Sequence, residues 1–241
     1  MKYYGVHACL ALFAKRPQDL IRVYLDESNL KGFKKVLKWC AENKKAYHLV
    51  PSEELDRVSD SVHHEGVCFL AKALPSLRED ELLSLLAKKE EKSCLLYLDG
   101  VQNPHNVGSI VRSAAHFGVK YILGEKGKIP SLTPSACRIA KGGAEEVRLV
   151  ILDDPLKTIE KLKNLGFSFI GTSSHQGTSL YQFKFPSRSI LGIGGETAGM
   201  SLKCTSLISH QIEIPGTGLV ESLNVSVATS VCLAEYFRQC V

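Results

Sequence analysis

Three observations predict an α/β fold for this 241-residue chain. Short apolar runs alternate with amphipathic helical patterns along most of its length, as expected for strands covered by helices. Hydrophobic residues make up 44% of the chain and charged residues 23%, which supplies a real core and argues against global disorder. No apolar run reaches the roughly 18 residues of a membrane span. The size suits one large domain or two small ones. The opening Met-Lys-Tyr-Tyr-Gly-Val-His has no signal-peptide pattern, so a cytoplasmic protein is expected.

Hydrophobic period sets the elements in order. A helix is predicted over 6–14 and a strand over 21–25. The next helix, 30–41, buries Leu30, Phe33, Val36, Leu37 and Cys40. Its other face carries Lys31, Lys34, Lys35 and Lys38 at i, i+3, i+4 and i+7, which reads either as a solvated face or as a surface tracking phosphates. A strand follows over 46–50. Ser52 is expected to cap a helix running to 58, with Glu53 and Glu54 in the first turn, where the helix dipole favours acids. A strand over 67–71 closes this unit. Pro75 and Ser76 then break the pattern, and the charge-rich stretch 78–92 around Leu82, Leu83, Leu85 and Leu86 predicts a linker helix. The boundaries are therefore a first domain at 1–73, a linker at 74–92 and a second domain at 93–241. In the second, strands over 95–98, 121–123, 147–151, 167–171, 190–194 and 207–214 alternate with helices over 107–117, 135–140, 155–165 and 222–238. That alternation implies a parallel sheet covered on both faces.

Chemistry is concentrated in three segments. The first is Leu98-Asp-Gly-Val-Gln-Asn-Pro-His-Asn-Val-Gly-Ser-Ile-Val-Arg-Ser-Ala-Ala-His-Phe-Gly-Val119. Its strand ends at Asp99, and a helix is expected from Asn106, a plausible N-cap, to a stop at Gly118. Val107, Ile110, Val111, Ala114 and Phe117 make the apolar face; Ser109, Arg112, Ser113 and His116 make the polar one. Arg112 is thus exposed, beyond a loop at the C-terminal end of a strand, the edge where open α/β sheets bind ligands. By itself this is an ordinary surface arginine. The other segments are Ile190-Leu-Gly-Ile-Gly-Gly-Glu-Thr-Ala-Gly-Met-Ser201 and Ile212-Glu-Ile-Pro-Gly-Thr-Gly-Leu-Val-Glu-Ser-Leu-Asn-Val-Ser-Val-Ala-Thr-Ser230. Position 197 is Thr, so Gly192-Ile-Gly-Gly-Glu-Thr197 fails the dinucleotide fingerprint, and no P-loop string exists. No paired His/Cys spacing suggests a metal. The eight cysteines stand singly in mostly apolar surroundings and read as reduced core thiols. A net charge of +5 permits a nucleic-acid partner without requiring one.

Together and in this order, the three segments resemble the motifs of the SpoU/TrmH family of RNA 2′-O-ribose methyltransferases, over roughly the last 150 residues. The first unit resembles the ribosomal-protein-L30e-like substrate-binding domain found in many such proteins, through Tyr4-Gly-Val-His7 and His63-His64-Glu65-Gly66-Val67. Glu65 stands where Gln is common, and a carboxylate there would repel phosphate. The resemblance implies a parallel-sheet SPOUT domain with a C-terminal trefoil knot, a homodimer with its site near the subunit contact, an RNA substrate and S-adenosylmethionine as cofactor.

The resemblance also implies roles. Gly171, Thr172, Gly194 and Gly195 would hold the cofactor, with Ile214 and Leu223 flanking its adenine. Arg112 is the group the family assigns to activation of the ribose hydroxyl. A guanidinium rarely surrenders its proton, so a clamp on the adjacent phosphate and the developing alkoxide is the second account; the sequence leaves both open. Asn106 would orient Arg112 or the nucleotide, Glu196 would anchor Arg112 or the cofactor loop, and Ser222 and Asn224 would complete the pocket. Departures from the family pattern are Asn103, Gly216 and Lys141-Gly-Gly-Ala-Glu145, none at a presumed catalytic position. The expected substrate is a guanosine of large-subunit (23S) ribosomal RNA. Rivals are a tRNA D-loop guanosine, an rRNA adenosine whose methylation confers antibiotic resistance, a non-catalytic ribosome-assembly factor and a small-molecule enzyme.

Overall fold

The computed structural model describes residues 1–88, 92–174, 176–195 and 199–240. The first unit runs β1 (Lys2–Tyr4), α1 (Val6–Lys15), β2 (Leu20–Leu25), α2 (Leu30–Glu42), β3 (Ala46–Leu49), α3 (Ser52–Ser59) and β4 (Val67–Ala71). Its sheet has the order β1-β4-β2-β3, with β4 antiparallel to both neighbours and β2 parallel to β3. α2 buries Phe33, Val36 and Cys40 as its period requires, and Lys31, Lys34, Lys35 and Lys38 are exposed. Ser52 is not the cap of α3. The capping position is Pro51, whose side chain makes no bond, and Ser52 is the first helical residue. Proline's fixed φ already directs the chain into a first turn that Glu53 and Glu54 stabilise.

The rest of the chain comprises β5 (Leu77–Arg78), α4 (Glu79–Ala87), β6 (Ser93–Asp99), α5 (Pro104–His116), β7 (Tyr121–Glu125), α6 (Pro134–Ile139), β8 (Arg148–Leu152), α7 (Pro155–Asn164), β9 (Ser168–Ser173), β10 (Thr178–Ser179), β11 (Arg188–Gly194), α8 (Leu202–Thr205), β12 (His210–Glu213) and α9 (Val225–Cys240). Eight strands form one sheet in the order β10-β12-β9-β11-β6-β7-β8-β5, every pairing parallel. Within the connecting stretch, β5 adds an edge strand on β8, and α4 buries Leu82 and Leu86 on one face of the sheet beside Leu95, Tyr97 and Phe169. The strand expected over 207–214 is shorter: Leu207 follows the turn of α8, and pairing begins at His210. α9 likewise starts at Val225, not at 222. No helix among the described residues is long and apolar enough to cross a membrane.

The opposite face of the large sheet shares a continuous apolar core with the first unit: Leu12, Val23 and Phe69 belong to the same cluster as Val107, Ile110 and Leu96. Ion pairs border this junction. Arg16 meets Glu145 through Nε–Oε2 at 2.7 Å and Nη2–Oε1 at 3.0 Å. Lys15 pairs with Glu146 at 2.8 Å, and Arg138 lies 3.7 Å from Glu65. Glu65 also accepts from the Val6 amide at the start of α1, at 3.0 Å. Its carboxylate is thus engaged within the protein at an exposed position.

All eight cysteines are buried and free, and burial raises every thiol, Cys68 to about 11 and Cys137 and Cys232 to about 12. A raised pKa leaves little of the reactive thiolate at pH 8. Titration of the native protein with a thiol reagent at that pH should find no fast-reacting cysteine, and eight after denaturation. A rapid native thiol would show that one of these sites opens.

Candidate active site

The C-terminal ends of β12, β9, β11 and β6 lie side by side, and Gly171, Thr172, Gly194 and Gly195 are brought together there. Register pairs Gly194 with Asp99, Gly192 with Gly171, and Thr172 with Ile212. The Thr172 hydroxyl donates to the Gly192 carbonyl at 3.0 Å, tying β9 to β11. After β11 the chain doubles back, with Gly195 bridged to Gly199. A Cβ added at Gly194 would run into the Gly199 carbonyl carbon and the Met200 nitrogen, so only glycine fits. Glu196 lies outside the described residues.

Asp99 organises this turn, a role not evident in the sequence. Its backbone carbonyl accepts from the Gly195 amide at 2.8 Å, and its carboxylate accepts from the Ser201 amide at 2.7 Å. The residue is nearly buried, at 9% exposure, so these bonds act where water competes weakly. The available signal was an acid at the last position of an otherwise apolar strand.

Asn106 is not the cap of α5. Asn103 caps it, accepting from the His105 amide at 2.9 Å, with Pro104 as the first helical residue. Asn106 is instead buried one turn in, and its Oδ1 accepts from Asn224 Nδ2 at 3.1 Å. Asn224 in turn begins α9: its Oδ1 accepts from the Ser226 amide at 2.9 Å. Two residues 118 positions apart thus lock the starts of α5 and α9. Further along, Ser113 and Ser230 share a 2.7 Å hydrogen bond, and the Phe117 and Phe237 rings lie 5.8 Å apart.

Arg112 is exposed on α5, and none of the contacts of Gly171, Thr172 or Gly194 described above involves it. Ile214 is half-buried beyond β12. The following segment, 215–224, is exposed throughout and carries Leu219 at 89%, Val220 at 72% and Leu223 at 46% exposure; Ser222 stands in it. Lys31, Lys34, Lys35 and Lys38 belong to the other sheet's cover and are not part of this edge. The described residues hold no cluster of His, Cys, Asp and Glu suited to a metal.

Comparison with known proteins finds relatives along nearly the whole chain. The SpoU rRNA Methylase family matches residues 93–234, and the RNA 2′-O ribose methyltransferase substrate binding family matches residues 3–77. The chain is 37% identical over 238 residues to the uncharacterized tRNA/rRNA methyltransferase YfiF of Escherichia coli O157:H7, covering 99% of this chain and 68% of that protein. It is 34% identical over 241 residues to the 23S rRNA (guanosine-2′-O-)-methyltransferase RlmB of Pseudomonas putida, covering 99% and 96%. Among solved structures, the SpoU methyltransferase AviRb from Streptomyces viridochromogenes, in complex with the cofactor AdoMet, superposes with a TM-score of 0.80 at 21% identity, over 99% of this chain and 90% of that one.

Proposed function

Because the chain belongs to the SpoU rRNA Methylase family of RNA 2′-O-ribose methyltransferases, we propose that it methylates a guanosine ribose of large-subunit (23S) ribosomal RNA. The observation that carries this substrate is the relative of that named activity, matched over nearly the full length of both chains. Residues 1–73 capture RNA in this reading, and 93–241 perform the transfer, as a cytoplasmic homodimer with the trefoil knot of its fold.

The strand edge fits S-adenosylmethionine. Gly194 and Gly195 let the loop pack directly on the backbone of Gly199, Met200 and Gly100, Gly171 and Thr172 lie near the end of the neighbouring strand, and Ile214 and Leu223 offer apolar flanks to a purine. The cofactor supplies an electrophilic methyl on a positively charged sulfur. The protein's task is position and electrostatics. Arg112, exposed near the end of a rigid helix, clamps a substrate phosphate and stabilises the alkoxide as the ribose hydroxyl loses its proton. Asn106 and Asn224 fix the helix starts on which Arg112 and Ser222 depend, and Glu196 completes the cofactor loop.

The deciding experiment is methyl transfer from labelled S-adenosylmethionine to unmodified rRNA and, separately, to tRNA, with alkali-resistant sites mapped. A single guanosine of large-subunit RNA is expected. A tRNA site would overturn the substrate, and cofactor binding without transfer to RNA or to ribosomal particles would overturn the reading as a whole. Neutralising Lys31, Lys34, Lys35 and Lys38 together should weaken RNA binding and flatten its salt dependence by about 0.7–0.9 in log–log slope for each phosphate no longer neutralised. An unchanged slope would return the stripe to a solvated face.

A further inference from the structure

The substrate-binding unit is seated on the methyltransferase unit by a built contact. Arg16 stands in the C-capping position of α1, and its side chain is 7% exposed against 4% for Glu145. Besides the bidentate pair, Arg16 Nη1 donates to the Lys72 carbonyl at 2.6 Å, and the guanidinium lies 5.2 Å from the Tyr3 ring centroid. Burial pulls the Arg16 pKa down, but its bonds to Glu145 outweigh this and raise it overall, so the guanidinium keeps its proton. Next to Glu145 stand two glycines facing opposite ways. A Cβ on Gly142 would lie 2.8 Å from Ala11 Cβ of α1, and one on Gly143 would lie 3.1 Å from the Val111 carbonyl and 3.3 Å from Arg112 Cα. The backbone of 142–145 is therefore a spacer one residue thick. One side touches the helix of the RNA-binding unit, and the other touches the helix that presents Arg112.

We propose that Arg16 is a positioning residue for methyl transfer: anchored on Glu145, it fixes the RNA-binding unit relative to Arg112 and thereby selects which ribose reaches that side chain. This rests on the reading of the chain as an RNA methyltransferase. A captured RNA is held at one place and reacts at another, so the fixed offset between them picks the nucleotide. Loosening the junction widens the set of riboses within reach and lowers the fraction of productive encounters. The cofactor site, built on other strands, is unaffected.

The test uses the full chain with Lys44→Cys and Lys161→Cys, both exposed, as spin-label sites; the native cysteines are buried. Distances between labels and methyl transfer are measured for the parent, Arg16→Gln, Glu145→Gln and the double variant. The double variant removes both buried charges together and so keeps a folded protein in hand if a single variant fails. The parent should give one narrow distance. The variants should broaden it, lower kcat/KM for rRNA by about tenfold or more, spread methylation to neighbouring riboses and leave the S-adenosylmethionine Kd unchanged. A narrow distance in the double variant overturns the proposal, as does a broad distance with parental kcat/KM and a single methylated site. If the parent itself methylates no RNA, the proposed function falls, and the distances alone then decide whether Arg16 positions the unit.

Discussion

Arg112→Ala is expected to abolish methyl transfer, lowering kcat by at least about 10²–10³-fold, the scale of losing one pre-aligned donor to a developing oxyanion. S-adenosylmethionine affinity should stay near that of the parent, because the cofactor strands form without Arg112. The side chain is exposed, so its loss should also leave stability nearly unchanged. Arg112→Lys separates the two chemical accounts. A lysine keeps the charge but not the planar fork. Partial activity with an unchanged pH profile supports an electrostatic clamp. A profile displaced toward lower pH would mean that the residue itself takes the proton. Near-normal turnover of the alanine variant would remove Arg112 from the reaction altogether.

The second large effect is expected at Gly194. An alanine there meets backbone atoms of Gly199 and Met200, which cannot rotate away as a flexible side chain would. The turn is gripped on both sides by Asp99, through the Gly195 and Ser201 amides, so it cannot move without breaking one of those bonds. Overpacking of this kind costs about 1–3 kcal/mol. If the loop relieves the clash by shifting and must return to bind, that cost falls on cofactor affinity, a loss of roughly 5- to 140-fold, measurable by calorimetry. Gly32→Ala on α2 is the control, since its new Cβ meets nothing within 4 Å. A Gly194→Ala protein that binds S-adenosylmethionine as the parent does would take this glycine out of the cofactor cradle.

The sequence was most legible where side chains obey a period. The buried face of α5, with Val107, Ile110, Val111 and Ala114, follows from spacing alone, as does the lysine stripe of α2. Helix starts were less legible, because several residues in a row can cap. In Asn103-Pro104-His105-Asn106 both asparagines qualify, and proline at the first helical position decides for Asn103. Strands of two or three residues, such as β1, β5 and β10, are too short to show alternation. The partner of a side chain was not legible when it lay far along the chain. Asn106 and Asn224 are 118 positions apart, and Arg16 and Glu145 are 129 apart. No local pattern pairs them; only the packing of the sheet's covering helices does.

The junction of Arg16, Lys15 and Arg138 with Glu145, Glu146 and Glu65 makes the two units each other's counterions. Separated, they would be electrostatically different surfaces from those they present together. The second unit alone would bare Glu145 and leave Glu146 without its lysine, two uncompensated carboxylates beside the helix of Arg112. If the chain binds RNA as proposed, the first unit contributes by more than its own lysines: it buries the Glu145 carboxylate against Arg16 and pairs Glu146 with Lys15, so that neither stands as an uncompensated negative charge.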